Sequence, residues 1–193
     1  MANISTDNKA IARYVSKAFG GSPAVREYLH DNLPLKIDIL SVKDQPDISL
    51  TSFGTLGLSD TALNWGNGEF PTRIELCAAA ASSFEHFPNI ISSACFNVMR
   101  TQTVCHPGTV MPNYVAEYYT DTLLPHLYFT SPFPWEDELK SMDLPSKKVS
   151  WLLCFPISDA EHAFLKSHGE EKFEDMLETA GADIFDMNRH SAC

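Results

Sequence analysis

A chain of 193 residues with 44% apolar and 20% charged side chains can bury roughly 70% of the surface its unfolded form exposes, which argues against disorder and removes the need for metal or disulfide support. The net charge of −11 is uneven: residues 1–100 hold 8 lysines and arginines against 10 acids, and residues 101–193 hold 6 against 15. Negative potential concentrated in the second half repels phosphate backbones, which argues against direct nucleic-acid or anionic-membrane binding, and it attracts basic proteins from a distance.

No apolar run approaches the roughly 20 residues that span a bilayer, and the opening MANISTDNKAIARYV lacks the basic start and apolar segment of a signal peptide, so a cytoplasmic location is expected. There the Asn3-Ile4-Ser5 glycosylation pattern carries no meaning. Five cysteines, odd in number and never spaced as CxxC, read as reduced core residues.

From Asp7 to Phe19 the residues Ile11, Tyr14, Val15, Ala18 and Phe19 recur at helical spacing, with Thr6 or Asp7 as the cap and Gly20-Gly21 as a left-handed ending. Ser22-Pro23, cap then proline, predicts a shorter helix presenting Val25, Tyr28 and Leu29. Lys36 to Val42 alternates as a strand with Ile37 and Ile39 on one face. The next strand, ISLTSFGTLGLSD, contains Gly54 and Gly57, which mark a bulge or the close passage of another part of the chain. Asn64 to Gly68 reads as a connection around Trp65, and Arg73 to Ala78 as the following strand, with Ile74 and Leu76 opposite Arg73 and Glu75; a meander is expected.

Phe87, Ile90, Ile91, Ala94, Cys95, Val98 and Met99 form the stripe of a long core helix with Pro88 near its start. Pro107-Gly108 predicts a type II turn, Val110 to Tyr119 a strand or edge segment, and Leu123 to Phe129 a strand that Pro125 assigns to an edge or bulge. Trp135 to Met142 predicts a helix: Trp135, Leu139 and Met142 fall at i, i+4, i+7 and three acids crowd its first turn. Val149 to Phe155, apolar but for Ser150 and closed by Pro156, suits a strand at the sheet centre, buried on both faces. Ser158 and Glu161 have the spacing of a capping box, so a helix begins at Asp159 and ends at His168-Gly169. An acidic helix holding Phe173, Met176 and Leu177 follows and closes at Gly181. No repeat or linker divides residues 1–193, and one domain is expected.

Reactive patterns are absent from the sequence. HExxH and CxxC, the close pairs of zinc sites, do not occur, and neither do GxSxG, a phosphate loop or GxGxxG, so no catalytic residue, metal or cofactor is assigned. Cys105-His106 pairs a thiol with an imidazole in sequence, but neighbours on a strand point to opposite faces. Two segments have the composition of a recognition surface. SPFPWEDEL offers Trp135 as an anchor ringed by Glu136, Asp137 and Glu138; the alternative is a short helix with Trp135 packed inward. EEKFEDMLE offers Glu170, Glu171, Glu174 and Asp175; the alternative is a solvated helix face above buried Phe173, Met176 and Leu177.

TLGLSD at Thr55 to Asp60, RIEL at Arg73 to Leu76, the Pro107-Gly108 turn, FPISDAE at Phe155 to Glu161 and DMNRHS near the end, five motifs in order over nearly the whole chain, resemble the suppressor-of-fused-like family. The opening TDNKAIARYVSKAFGG and the overall length are similar to its bacterial members of the YqcF antitoxin type, immunity proteins against a toxin. The resemblance implies an α+β domain with a mixed, mainly antiparallel central sheet flanked by helices, acting by binding and not by turnover. Its motif residues Thr55, Gly57, Leu58, Ser59, Asp60, Glu75, Pro156 and Glu161 are expected to be structural. Animal relatives are longer and grip a peptide between two domains by adding it as a strand, and that clamp does not transfer to a chain of this length. The expected partner is a cognate toxin with a basic surface, a nuclease being the class that acidity suits. A regulatory module adding a peptide strand, with its edge near Leu123 to Phe129, is the alternative.

Overall fold

The computed structural model describes residues 5–193, so Asn3 and Ile4 of the glycosylation pattern lie outside the described residues. Helix α1 (Thr6–Phe19) is capped one residue earlier than expected, by Ser5, whose hydroxyl accepts the Asn8 N–H at 3.0 Å; it buries Ile11, Val15 and Phe19. Strand β1 (Ala24–Leu29) replaces the helix predicted after Ser22-Pro23. Its six residues pair antiparallel with β2 (Lys36–Lys43), placing Tyr28 opposite Ile37. On a strand Tyr28 turns to the core while Val25 and Leu29 point to the other face and stay exposed, so the three never share a stripe. A local cap signal loses here to a tertiary pairing.

Strand β3 (Leu50–Leu56) and a 3₁₀ turn at Leu58–Asp60 follow, then the small hairpin β4 (Asn64–Trp65) and β5 (Gly68–Glu69) and the long β6 (Thr72–Ala81). Helix α2 (Phe87–Thr101) is the predicted core helix. The Pro107-Gly108 turn has the expected geometry: Gly108 takes φ 87°, and the Thr109 N–H reaches the His106 carbonyl at 3.0 Å. Only Val110–Met111 (β7) of the next predicted strand is extended, the remainder to Tyr119 being turns.

Strand β8 (His126–Thr130) begins just after Pro125, which lacks the N–H a strand interior needs. The predicted helix at Trp135 to Met142 is a 3₁₀ turn over Phe133–Trp135 continued by turns, and Met142 opens a two-residue strand, β9 (Met142–Asp143). The i, i+4 pair survives, because Trp135 and Leu139 are both buried. Strand β10 (Lys148–Ile157) is the expected apolar strand but does not stop at Pro156, which pairs with Leu127 of β8 inside it. Helices α3 (Asp159–His168) and α4 (Glu170–Thr179) complete the chain as expected, with both halves of the Ser158–Glu161 capping box in place.

Eight strands form one sheet in the order β1-β2-β3-β6-β10-β8-β7, with β9 beside β10. Among the described residues only β6 and β10 of this sheet run parallel; its other strand pairs are antiparallel. The architecture is α+β with a mixed, mainly antiparallel sheet. Alternation along the strands sends Ile37, Phe53, Ile74, Leu76, Leu127 and Leu152 to the α2 face. It sends Leu40, Val42, Leu153, Phe155 and Ile157 to the face covered by α1, α3 and α4. Gly54 explains its own presence: a Cβ there would lie 2.6 Å from a methyl of Val15, so α1 sits close on β3 because that position is bare. No described helix is long and apolar enough to cross a membrane.

Candidate functional site

Two buried carboxylates organise the motifs quoted above. Glu75, from β6, is fully buried and lies under the 3₁₀ turn. One carboxylate oxygen accepts the Gly57 N–H at 2.9 Å, the Ser59 N–H at 3.1 Å and the Ser59 hydroxyl at 2.7 Å. The other accepts the Thr55 hydroxyl at 2.6 Å and the Leu58 N–H at 3.3 Å. Burial pushes this carboxyl upward, and the donors from Thr55, Ser59 and Gly57 pull it back. Gly57 supplies the positive φ of 106° that turns successive amides onto one acceptor. Asp60 stands at the rim, hydrogen-bonded by the Asn8 amide at 2.8 Å and paired with Lys147. TLGLSD with Glu75 is thus a carboxylate cradle that holds β3, β6 and α1 together.

Glu161 is the second. It is fully buried on α3 and accepts the Ser158 N–H at 2.8 Å, the Ala192 N–H at 2.9 Å and both guanidinium arms of Arg189. Burial alone would raise its carboxyl, but Arg189 and the two amides outweigh that and hold it below the ordinary carboxylate range. Arg189 also donates to the Pro156 carbonyl at 3.1 Å, so the terminal segment is fastened to the β10–α3 corner. Arg189 entered the sequence reading only inside DMNRHS; nothing local announces that it is buried.

The thiol–imidazole pair is not assembled as a nucleophile. Cys105 is buried, which pushes its thiol up to about 12 against hydrogen bonds from Thr109 and the His106 amide, while His106 is exposed.

The two acidic segments meet at one concavity. Trp135 is 4% exposed and packs against Phe19 with ring centroids 4.9 Å apart, so the inward alternative holds and Trp135 is not a surface anchor. The exposed aromatic of that segment is Phe133, at 52%. With Thr130, Phe155, Leu177 and Ile184 it walls a cavity of about 540 Å³. Glu174, Asp175 and Glu178 of α4 edge the same cavity. Glu174 is half-buried, and one oxygen accepts the Tyr128 hydroxyl at 2.8 Å and the Thr130 hydroxyl. Burial, then Glu174 itself, pushes the Tyr128 phenol upward, so it remains a donor. Glu136, Asp137, Glu138, Glu170 and Glu171 are exposed, with Asp137 3.7 Å from Lys140. Glu170 packs under Gly108, where a Cβ would lie 2.5 Å from its carboxylate. Sequence reasoning missed Phe133, Tyr128, Thr130 and Ile184: the first was eclipsed by Trp135, and the others look like ordinary strand and loop residues until α4 closes over them.

The family model described as Suppressor of fused protein (SUFU) matches residues 34–190. The immunity protein YqcF of Bacillus subtilis (strain 168) is 40% identical over 188 residues, which cover 97% of this chain and 98% of that one. The crystal structure of a SUFU homologue from Neisseria gonorrhoeae FA 1090 superposes with a TM-score of 0.70 at 17% identity, covering 98% of each chain. Drosophila Suppressor of Fused superposes with a TM-score of 0.67 at 15% identity, covering 95% of this chain and 50% of that one. At such identities the structural likeness is one of fold, and it agrees with the sequence match: the chain belongs to the suppressor of fused (SUFU) family.

Proposed function

We propose that this chain is an immunity protein, which binds a cognate bacterial toxin in the cytoplasm of the producing cell and neutralises it by covering its active site or substrate groove, without turnover. The observation that carries this is the 40% identity to an immunity protein along nearly the full length of both chains. The acidic surface of α4 and of Glu136 to Glu138 supports a basic target, and a nuclease is the toxin class that fits. An enzyme that grips phosphate must present positive charge, and an acidic protein competes for it.

The test is coexpression with the product of the neighbouring reading frame. Rescued growth together with a purified complex is the expected result; a toxin that kills regardless and does not bind the purified chain overturns the reading. A regulatory module that binds by strand addition is the second reading, favoured by one observation. The Leu123 to Phe129 edge expected from sequence is not open, because β7 and the Gly108 and Thr109 backbone cover β8. Among the described residues the sheet ends in β1 on one side and in the two-residue β7 on the other, and the longer unpaired edge is that of β1, with Val25 and Leu29 exposed beside it. Binding there rests on main-chain hydrogen bonds and is insensitive to salt, whereas the acidic surface is not.

A further inference from the structure

The cavity between the Phe133 segment and α4 joins apolar walls to an acidic edge. Its walls, Phe133, Phe155 and Ile184 among them, are apolar, while Glu174, Asp175 and Glu178 stand at its edge. Among the described residues none of these three acids has a lysine, arginine or histidine nitrogen within 4.0 Å. Glu174 is also oriented from behind. Buried Tyr128 and Thr130 both donate to the same carboxylate oxygen, and its second oxygen has no hydrogen-bond partner among the described residues. A largely apolar lining, a fixed carboxylate with one free acceptor oxygen and uncompensated negative charge together match a long cationic side chain with an apolar stem.

We propose that this cavity is the anchor site for an arginine side chain of the partner protein. The inference rests on the reading that the chain works by binding a basic protein, and it places that contact at one position. Arginine fits better than lysine for two reasons. Its planar, weakly hydrated guanidinium forks onto the free oxygen of Glu174 and a neighbouring acid, and it lies flat on the exposed ring of Phe133. A lysine ammonium is a strongly hydrated point charge that uses neither the fork nor the ring as well. An apolar anchor would leave three acids facing it without counter-charge.

The probe is N-acetyl-arginine amide, titrated into the full chain and followed by amide chemical shifts, beside its lysine and neutral citrulline counterparts. Saturable shifts confined to residues 130–133 and 174–184 are expected, at least tenfold weaker with citrulline amide or in Glu174→Gln, and several-fold weaker with lysine amide. Equal responses to arginine and citrulline, an unaffected Glu174→Gln, or shifts centred elsewhere overturn the proposal. Because Glu174 braces Tyr128 and Thr130, Phe133→Ala provides a second variant at a surface position, and it too is expected to lose arginine preference. In toxin binding, Glu174→Gln and Phe133→Ala should each weaken affinity at least tenfold, and Glu85→Gln should not. Arginine-probe binding without protection of cells supports the pocket and overturns the immunity reading. Protection without arginine-probe binding supports the immunity reading and overturns the pocket.

Discussion

Arg189 and Glu161 are worth more broken than whole. Removing one member of a buried, hydrogen-bonded pair leaves the other charged and unpaired, so Arg189→Ala should cost about 3 to 5 kcal/mol in urea unfolding, whereas replacing both by apolar residues of similar volume should cost much less. The pair also sets an acid limit. Glu161 is held below its unfolded value of about 4.3, so its contribution is fully present above that pH and is lost as pH falls below it and through the lower folded value. Glu75 acts in the opposite sense: burial raises it, so its contribution is present in acid and fades as pH rises through its folded value. The Glu161 share is therefore read as the difference between wild type and Glu161→Gln, with wild type losing its advantage in acid. Thiol reactivity offers a simpler check at this scale. Cys77, Cys95, Cys105 and Cys154 are buried and Cys193 is exposed. Burial raises the thiols at Cys77, Cys95, Cys105 and Cys154. A disulfide reagent should accordingly modify one thiol quickly in the native protein and the rest only on unfolding, and the fast one should disappear in Cys193→Ser.

Helix α1 and strand β3 approach closely because Gly54 has no Cβ. Gly54→Ala puts a methyl 2.6 Å from Val15, and overpacking of this kind costs about 1 to 3 kcal/mol. The loss should appear as a lowered urea midpoint, and Val15→Ala in the same chain should restore part of it by vacating the space. No restoration, with the two losses simply adding, would mean that the two positions do not share that contact. The α3 start is a contrasting case in which the code is local. Ser158 and Glu161 satisfy each other's orphan amides within one turn, so the capping box was readable from a three-residue spacing. The Phe133 turn was only half readable. Its i, i+4 burial was correct and one α-type bond forms, from the Leu139 N–H to the Trp135 carbonyl at 2.7 Å, but the turn goes no further because Met142 and Asp143 pair with β10 as a strand.

At the scale of the molecule, a net charge of −11 acts before contact. If the partner is basic, attraction raises the encounter rate while screening removes it, so association should slow on the order of tenfold as the Debye length falls from about 30 Å at 0.01 M salt to about 3 Å at 1 M. Dissociation, governed by the packed contact, should change far less. Stopped-flow measurement with the toxin checks this, and an association rate indifferent to salt removes charge steering. Neutralising Glu170, Glu171, Glu174 and Asp175 together should flatten the salt dependence. The likeness to Drosophila Suppressor of Fused spans half of that chain, so contacts supplied by its other half have no counterpart in the matched region.

The amino-acid order by itself determined the features whose causes lie within a few residues: the stripes of α1, α2 and α4, the apolar run of β10, the Pro107-Gly108 turn, and the capped start of α3. It also carried the family motifs, although not what they do. Only the tertiary structure decided that Ser22-Pro23 leads into an edge strand, since the partner of β1 lies beyond another turn. It alone showed that Glu75 is cradled by Thr55 to Ser59, that Glu161 meets Arg189, and that Phe133 and Glu174 face one cavity. Those arrangements join side chains distant in sequence, and burial, which gives each its energy, exists only after the sheet and helices have closed around them.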